Sequence, residues 1–242
     1  MRILVTGGAG FIGSNFLKQL IKYDAEITAT IYRRPLQIKA SQINTIKTDL
    51  TQPSEAIKCT KDIDYVIHCA ALKQVPTAEY NPLEYIKTNV IGAQNVIEAC
   101  LSQRSIKKVI ALSTDKAAAP INLYGATKLC ADKLFISANN ITGRKDLIFS
   151  VVRYGNVLGS RGSVIPRFLK QRKNGKLQVT DLNMTRFNIT LDESVEFVLW
   201  VLANSLGGEI FVPKIPSYRL SDVVGVIGSG CKIKYIGIRS GE

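Results

Sequence analysis

The sequence has little of what marks membrane, secreted and metal-binding proteins. No apolar run approaches the roughly 20 residues of a membrane-spanning helix, so we expect no membrane partner. The first residues already form a predicted strand, which leaves no room for a signal peptide. One histidine and no Cys-x-x-Cys pair give no recognisable metal cluster. The cysteines are five, an odd number, and widely spaced, so we expect reduced thiols and a cytoplasmic protein.

Acidic residues are scarce beside basic ones. The chain has 19 Asp and Glu against 32 Lys and Arg, a formal net charge of +13. Such an excess is found in nucleic-acid-binding proteins, but here no run of five basic residues occurs. We therefore expect no nucleic-acid partner, and assign the charge mostly to a solvated surface and in part to phosphate-bearing ligands. The length of 242 residues, 46% of them hydrophobic, suffices for one large and one small lobe.

Glycines cluster directly after the first predicted strand, Arg2–Thr6. The stretch T-G-G-A-G-F-I-G (6–13) leads into a helix with one apolar face. Glycines let the backbone approach a pyrophosphate, and a helix N-terminus offers free N–H groups. This pattern predicts a dinucleotide site formed by Gly7, Gly10, Phe11, Ile12 and Gly13. The alternative is a plain tight turn.

The second predicted strand, Glu26–Tyr32, ends on two arginines. Arg33 and Arg34 stand where an NAD site has a carboxylate for the ribose 2′-hydroxyl. A guanidinium there suits a 2′-phosphate, so the sequence favours NADP over NAD. Two surface arginines before Pro35 are the alternative.

The most informative stretch is S-T-D-K-A-A-A-P-I-N-L-Y-G-A-T-K (113–128). It follows a predicted buried strand, so its first residues lie at the strand's carboxyl end, where open α/β sheets bind ligands. Tyr124 and Lys128 are four apart on a predicted helix and share one face. A phenol titrates near ~10, and a nearby ammonium lowers that pKa, so the pair predicts a base for a sugar hydroxyl. Surface neighbours are the alternative for a bare Tyr-x-x-x-Lys, and Thr114 upstream favours the functional interpretation.

Five stretches together resemble one enzyme family. They are H-C-A-A-L-K-Q-V-P-T-A-E-Y-N-P (68–82), S-T-D-K through Y-G-A-T-K (113–128), R-Y-G-N-V-L-G-S-R-G-S-V-I-P (153–166), D-L-N-M-T-R-F (181–187) and G-E-I-F-V-P-K-I-P-S (208–217). The chain resembles the extended short-chain dehydrogenase/reductases, and among them the inverting UDP-N-acetylglucosamine 4,6-dehydratases of pseudaminic acid synthesis. The pair Asp115–Lys116 is the most specific part, because related epimerases usually lack the lysine and retaining dehydratases carry Asp-Glu.

The resemblance implies a reaction and a role for each catalytic residue. Tyr124, assisted by Lys128, would remove the C4 hydroxyl proton while hydride passes to NADP⁺, and Thr114 would orient that hydroxyl. Lys116 would then take the C5 proton, and Asp115 would protonate the departing C6 hydroxyl. Return of the hydride to C6 and reprotonation of C5 from the opposite face would give the inverted sugar. A UDP-hexose 4-epimerase and an inactive cofactor-binding protein of the same fold are the alternatives.

The resemblance also implies binding residues. On the cofactor side they are Asp49 and Leu50 near adenine, Ala70, Ala71 and Lys73 near the nicotinamide and the substrate mouth, and Asn89 as a structural residue. On the UDP-sugar side they are Lys73, Asn156, Arg161, Gly162, Val164, Arg186, Arg239 and Glu242. For Asp49 a helix cap is the alternative, and for each loop arginine an exposed surface position.

The expected fold is α/β, a doubly wound, mostly parallel Rossmann-type sheet with a smaller interleaved lobe. Residues 1–155 form the predicted NADP-binding domain, to which 192–212 return, and residues 156–242 form a substrate lobe that is shorter than in the family. Helices over 82–104 and 123–139 are predicted to pair two or more copies, as in the family. The helix over 82–104 has an apolar stripe, part of which is expected in the core: Ile86, Val90, Ala93, Ile97 and Leu101.

Overall fold

The computed structural model describes residues 1–143, 146–160 and 162–238. The strands are β1 Arg2–Thr6, β2 Glu26–Ile31, β3 Ile43–Lys47, β4 Tyr65–His68, β5 Lys108–Thr114, β6 Ile148–Tyr154, β7 Asn156–Val157, β8 Lys176–Val179, β9 Thr185–Ile189, β10 Ile210–Phe211, β11 Ser217–Arg219 and β12 Lys232–Tyr235. The helices are α1 Phe11–Leu20, α2 Pro53–Thr60, α3 Val75–Tyr80, α4 Pro82–Ile86, α5 Gly92–Ser102, α6 Leu123–Ala138, α7 Val164–Arg172, α8 Leu191–Asn204 and α9 Leu220–Ile227.

Seven parallel strands form the central sheet, in the order β10-β6-β5-β4-β1-β2-β3. The chain starts at β1, winds outward through β2 and β3, and then crosses back to β4 on the other side of β1. The predicted doubly wound fold is confirmed. Because the direction of winding reverses between β1 and β4, a crevice opens at their carboxyl ends, which is where ligands of such sheets bind.

Apolar side chains cover both faces of this sheet, as the continuous apolar runs of its strands require. On one face the core is built on Phe16 and Leu17 of α1 with Val195 and Val198 of α8. On the other face it is built on residues of α2, α5 and α6, with Phe135 fully buried. The helices of both faces are thereby fixed relative to the strand ends that carry the predicted site.

A smaller set of elements follows β6. Strands β11, β9 and β7 form one sheet, β12 and β8 form another, and α7 and α9 pack with them around Phe168, Leu177 and Leu220. Between these elements the chain returns to the large sheet, where α8 packs on α1 and β10 pairs with β6. The boundary at residue 155 as a division between two functional domains stays a prediction.

The long helix predicted over 82–104 is interrupted. A π-helical turn, Lys87–Ile91, separates α4 from α5, and α5 ends at Ser102. The turn adds a residue to the helical repeat, so the predicted stripe does not stay on one face: Ala93 and Ile97 are buried, but Ile86 is 39% exposed. Within the described residues no helix is long and apolar enough to cross a membrane.

Glu209 joins the returning segment to the sheet. Its carboxylate accepts hydrogen bonds from Leu206 N and Gly207 N, both at 2.7 Å, and from Ser150 Oγ of β6 at 2.8 Å. Burial raises the pKa of Glu209, but these hydrogen bonds outweigh it, and the pKa lies below its ordinary value. The carboxylate therefore stabilises the folded chain in its ionised form.

We predict that Glu209→Gln lowers the free energy of unfolding by about 1–2 kcal/mol at pH 7, because a neutral amide accepts more weakly than a charged carboxylate. A depressed folded-state pKa stabilises above the unfolded pKa of about 4.3 and stops doing so as pH falls through the folded value. The difference between variant and parent should thus shrink below about pH 4. Urea unfolding at several pH values measures this difference in the free energy of unfolding. Glu196→Gln, on the exposed side of α8, is the control. An equal loss in both variants would contradict the prediction.

Candidate active site

The glycine-rich turn between β1 and α1 fits a pyrophosphate. Gly7 has a positive φ of 67°, and Gly10 N donates to Gly7 O at 2.8 Å. A Cβ at Gly13 would lie 2.4 Å from Gly7 O, so only glycine lets the helix start this close to the strand. No described side chain caps α1, so the amides of its first turn, at Phe11 and Ile12, are available to an anion.

Thr6, the last residue of β1, orders the start of the segment after β4. Its Oγ1 accepts hydrogen bonds from Cys69 N at 3.1 Å and Ala70 N at 3.2 Å. The hydroxyl proton therefore points to His68 Nδ1, 2.9 Å away. Burial lowers the pKa of His68 to about 3, so this imidazole is neutral and serves as an acceptor, not as a general base.

The predicted residues Ala70, Ala71 and Lys73 lie on the segment that follows. Ala70 faces Gly7 across the crevice: a Cβ on Gly7 would lie 2.9 Å from Ala70 Cα. Asn89, in the π-helical turn, holds the backbone of Leu72 in both directions, with Oδ1 accepting from Leu72 N at 2.8 Å and Nδ2 donating to Leu72 O at 2.9 Å. Asn89 thus supports the site through backbone.

The helix that carries Tyr124 and Lys128 begins at a defined place. Asn122 Oδ1 accepts from Gly125 N at 2.8 Å, and Glu79 of α3 accepts from Leu123 N at 2.9 Å. Lys128 is 4% exposed. Tyr124 and Lys128 both lie on α6, one helical turn apart, as their spacing in the sequence predicted.

Burial dominates the titration of this pair. It raises the pKa of the Tyr124 phenol, and hydrogen bonding with Thr114 only partly opposes the rise. It also lowers the pKa of the Lys128 ammonium. The expected lowered pKa of Tyr124 is therefore wrong for the chain by itself, because loss of hydration outweighs the hydrogen bond with Thr114 and the charges of Asp115 and Asp132 add to the rise.

Thr114, Asp115 and Lys116 form a connected network at the end of β5, with Asp115 and Lys116 in a short 3₁₀ turn. Lys116 Nζ donates to Asp115 Oδ1 at 3.0 Å and to Asn156 Oδ1 at 3.3 Å. Thr114 Oγ1 donates to the same Asp115 oxygen at 3.0 Å. Side-chain exposures of 31% for Asp115 and 33% for Lys116 leave both within reach of a ligand. Asn156, predicted to contact the diphosphate, here holds the lysine.

Two hydroxyls at this edge were missed by the sequence analysis. Ser113 Oγ and Tyr154 Oη are buried and have no hydrogen-bond partner among the described residues. Tyr154 ends β6, opposite Thr114 in register, and its phenol interacts electrostatically with Tyr124 and Cys69. Unpaired buried hydroxyls are uncommon, and these fit a site whose polar partner is a bound ligand. The sequence could have pointed to both residues, because each lies at the end of a predicted strand beside a motif that carries predicted site residues.

Arg33 is part of a second cluster, at the carboxyl ends of β2 and β3. Its Nη2 lies 3.1 Å from Glu84 Oε1 of α4, and its guanidinium stands 5.4 Å from the centre of the Tyr32 ring. Burial raises the pKa of Asp49, whereas a hydrogen bond from Tyr32 and the charge of Arg33 lower it. The sequence analysis missed Glu84, which brings a carboxylate to a strand end that lacks one.

Asp49 does not cap a helix. Its Oδ1 accepts from Thr51 N at 3.0 Å and Thr51 Oγ1 at 2.8 Å, while the residue before α2 makes no side-chain cap. The alternative of a helix cap is thus wrong, and Asp49 stabilises the turn ahead of the helix. Leu50 O accepts from Asn95 Nδ2 at 2.9 Å, which ties the same turn to α5.

The remaining predicted residues lie on different elements. Arg186 lies in β9, where its Nη1 donates to Thr185 O at 2.8 Å and its Nη2 contacts Met184 Sδ at 3.3 Å. Val164 begins α7 and packs on the small core, Gly162 has a positive φ of 80°, and Arg34 is exposed. Arg161, Arg239 and Glu242 lie outside the described residues.

A family model described as a polysaccharide biosynthesis protein matches residues 3–242. The chain belongs to this family. The inverting UDP-N-acetylglucosamine 4,6-dehydratase of Campylobacter jejuni strain 81-176 is 48% identical over 251 residues, 99% of this chain and 75% of the relative. The resemblance found in the sequence is confirmed. A UDP-glucose 4-epimerase of Rickettsia bellii is 40% identical over the same shares of the two chains.

Solved structures agree with this membership of the family. The X-ray structure of Pen from Bacillus thuringiensis superposes with a TM-score of 0.94 at 36% identity, covering all of this chain and 81% of the other. MoeE5 in complex with UDP-glucuronic acid and NAD superposes with a TM-score of 0.89 at 25% identity, covering all of this chain and 87% of the other. A neighbour of the same fold thus holds a nicotinamide dinucleotide and a UDP-sugar together.

We predict that Gly125→Ala destabilises the chain by about 1–3 kcal/mol, because overpacking forces the backbone to move. A Cβ at residue 125 would lie 2.1 Å from Lys116 O, a backbone atom that cannot turn away. Gly225→Ala in α9 is the matched control, since its added Cβ would meet no atom within 4 Å. The control should be neutral or gain up to about 1 kcal/mol from better helix propensity. Chemical unfolding of both variants checks this, and equal stabilities would disprove the close contact.

Proposed function

We propose that this chain is an NADP-dependent UDP-N-acetylglucosamine 4,6-dehydratase that inverts C5. One observation carries the proposal: a second acid–base pair, Lys116 Nζ 3.0 Å from Asp115 Oδ1, lies at the strand end that also contacts Tyr124. Oxidation at C4 needs one base, and elimination across C5 and C6 needs a further base and an acid. The named activity of the Campylobacter relative supports the same reaction.

The chain's own residues suit the nicotinamide cofactor. The amides of Phe11 and Ile12 and the positive φ at Gly7 suit a pyrophosphate, and the buried hydroxyls of Ser113 and Tyr154 have no partner among the described residues. A nicotinamide bound there would supply a reversible acceptor for the hydride that the sugar gives up and takes back. Arg33 provides a cation for a 2′-phosphate, which favours NADP.

Tyr124 is the proposed base for the C4 hydroxyl, and Thr114 orients that hydroxyl. Because burial raises the pKa of the phenol, its deprotonated form needs a positive charge close by. Lys128 is the cation one helical turn away on α6. The 4-ketone that results makes the proton at C5 acidic.

A proton passed from Lys116 Nζ to Asp115 Oδ1 along their hydrogen bond would give a neutral amine and a carboxylic acid. The amine then removes the C5 proton, and the acid gives its proton to the C6 hydroxyl, which leaves as water. The hydrogen bond between the two side chains lets the proton taken at C5 replace the one given at C6. Asn156, through Oδ1, holds Lys116 Nζ in place for this step. A proton added to C5 from the opposite face then completes the inversion.

The proposal assigns binding of the cofactor, binding of the UDP part and pairing of copies to different segments of the chain. Residues 1–155, with 192–212, hold the cofactor, and residues 156–242 bind the UDP part through Gly162, Val164 and Arg186. Copies pair through the helices over 82–104 and 123–139, where exposed Leu83 and Ile91 give an apolar surface. The proposed compartment is the cytoplasm, on the grounds of five cysteines that are all free thiols.

The second candidate is a UDP-hexose 4-epimerase, favoured by the name of the Rickettsia relative. Such an enzyme would use Tyr124 and Lys128 and would have no task for Asp115 and Lys116. The two candidates therefore differ in one observable, which is exchange of the C5 proton with solvent.

We predict that Lys116→Ala abolishes both deuterium uptake at C5 from D₂O and release of the 6-deoxy-4-keto product from UDP-N-acetylglucosamine. Oxidation at C4 should persist, seen as a rise in NADPH absorbance on adding substrate, because that step uses Tyr124. Mass spectrometry of the sugar and absorbance at 340 nm measure the two steps separately.

Tyr124→Phe is the matched variant and should remove both signals, since no ketone forms without the C4 base. Normal dehydration by Lys116→Ala would contradict the role of that lysine. A parent enzyme that inverts C4 without exchanging C5 would establish the epimerase instead.

We predict that Arg33→Ala weakens NADPH binding about tenfold, roughly the worth of one charge-assisted hydrogen bond, and leaves NADH binding unchanged. Glu84→Gln should strengthen NADPH binding, because it frees the guanidinium that Glu84 Oε1 now pairs with at 3.1 Å. The pair is exposed, so the second effect should be small and should fade with added salt. Fluorescence titration of the parent and both variants with NADPH and NADH measures these affinities, and a parent that binds NADH as tightly as NADPH would refute the NADP preference.

A further inference from the structure

A buried ion pair lies on the helix of the proposed Tyr–Lys pair and has no task in the chemistry above. Asp132 is 1% exposed and stands one helical turn after Lys128 on α6. Its Oδ2 accepts from Arg153 Nε of β6 at 2.7 Å. The Arg153 side chain is 16% exposed. Since residues four apart share a helix face, the carboxylate has Lys128 on its own helix and Arg153 on the neighbouring strand.

The other titratable groups that face Lys128 are uncharged at neutral pH. Burial lowers the pKa of His68, on β4, to about 3. Burial raises the pKa of the Cys69 thiol and of the phenols of Tyr124 and Tyr154. Among the described residues, Asp132 is therefore the one negative charge set against the buried ammonium.

We propose that Asp132 is a positioning residue, whose carboxylate keeps the buried Lys128 charged while Arg153 fixes where that carboxylate lies. A buried cation without a counter-charge gives up its proton, because an apolar surrounding penalises the charged form. A neutral Lys128 would no longer support a phenolate at Tyr124. The consequence for catalysis rests on the proposed function, whereas the charge state of Lys128 does not.

The test compares three variants of the full chain. Asp132→Asn removes the counter-charge but leaves Arg153 unpaired, which by itself strongly destabilises a fold. Asp132→Asn with Arg153→Gln removes both charges and is the decisive variant. Asp132→Glu keeps the carboxylate and should behave like the parent. Lys133→Gln, an exposed neighbour on the same helix, is the control for a charge change that does not touch Lys128.

The readout is the titration of Lys128 by NMR of the chain labelled with ¹³C-lysine, without added ligand, with the signal assigned by its loss in Lys128→Arg. In the double variant the midpoint should fall, by less than the roughly one to three pH units that a single opposite charge contributes, because the loss of Arg153 also removes a like charge. The high-pH limit of activity on UDP-N-acetylglucosamine should move down with it. Asp132 also disfavours the Tyr124 phenolate directly, so the low-pH limit is not used.

A double variant whose Lys128 titrates as in the parent would overturn the proposal and make the pair structural, even if stability fell. A lowered midpoint in the double variant, together with a midpoint in Asp132→Glu like that of the parent, would support the proposal. If the double variant shows the lowered midpoint but the parent has no dehydratase activity, the role of Asp132 as counter-charge stands and the proposed function fails. The two conclusions are therefore separable.

Discussion

The site depends on how closely α6 approaches the turn after β5. Gly125 leaves no room for a side chain between the helix and the carbonyl of Lys116, and Asn122 and Glu79 fix the helix start from two directions. This contact places two motifs against each other that are separate in sequence, the Thr-Asp-Lys turn and the Tyr-x-x-x-Lys helix. A wider gap would leave Tyr124 without its partner Thr114, and the two acid–base pairs could not act on one sugar ring.

Charge is handled differently at the two ends of the crevice. At the rim the ion pair of Asp115 and Lys116 keeps partial contact with water and is within reach of a substrate. Deeper in, Lys128 loses nearly all hydration, and the chain places an acidic group on the same helix face. The difference follows from the cost of burying ions, which is small at a surface and large in a core unless a counter-charge is present. The excess of basic residues in the composition says nothing about this local balance.

Patterns that act over short distances predicted most of the fold. Apolar runs marked the parallel strands, and the glycines of 6–13 and the four-residue spacing of Tyr124 and Lys128 marked their local structures. Contacts between distant residues were not predictable. Glu84 meets Arg33 from a different helix, 51 residues away, and Arg153 meets Asp132 from a strand. The π-helical turn at Asn89 was missed too, because it contains no helix-breaking residue, and the hydrogen bonds of Asn89 to the backbone of Leu72 are not visible in the sequence.

The pKa of Tyr124 shows why a motif alone does not establish chemistry. From the sequence, a lysine one turn away is the only visible influence, and it lowers the pKa. In the folded chain burial is the larger effect and raises it. The motif supplies the right side chains at the right spacing, but their protonation states are set by everything packed around them, including residues outside the motif. Two relatives of this chain carry the names of a dehydratase and an epimerase, so membership of one family does not establish the chemistry either.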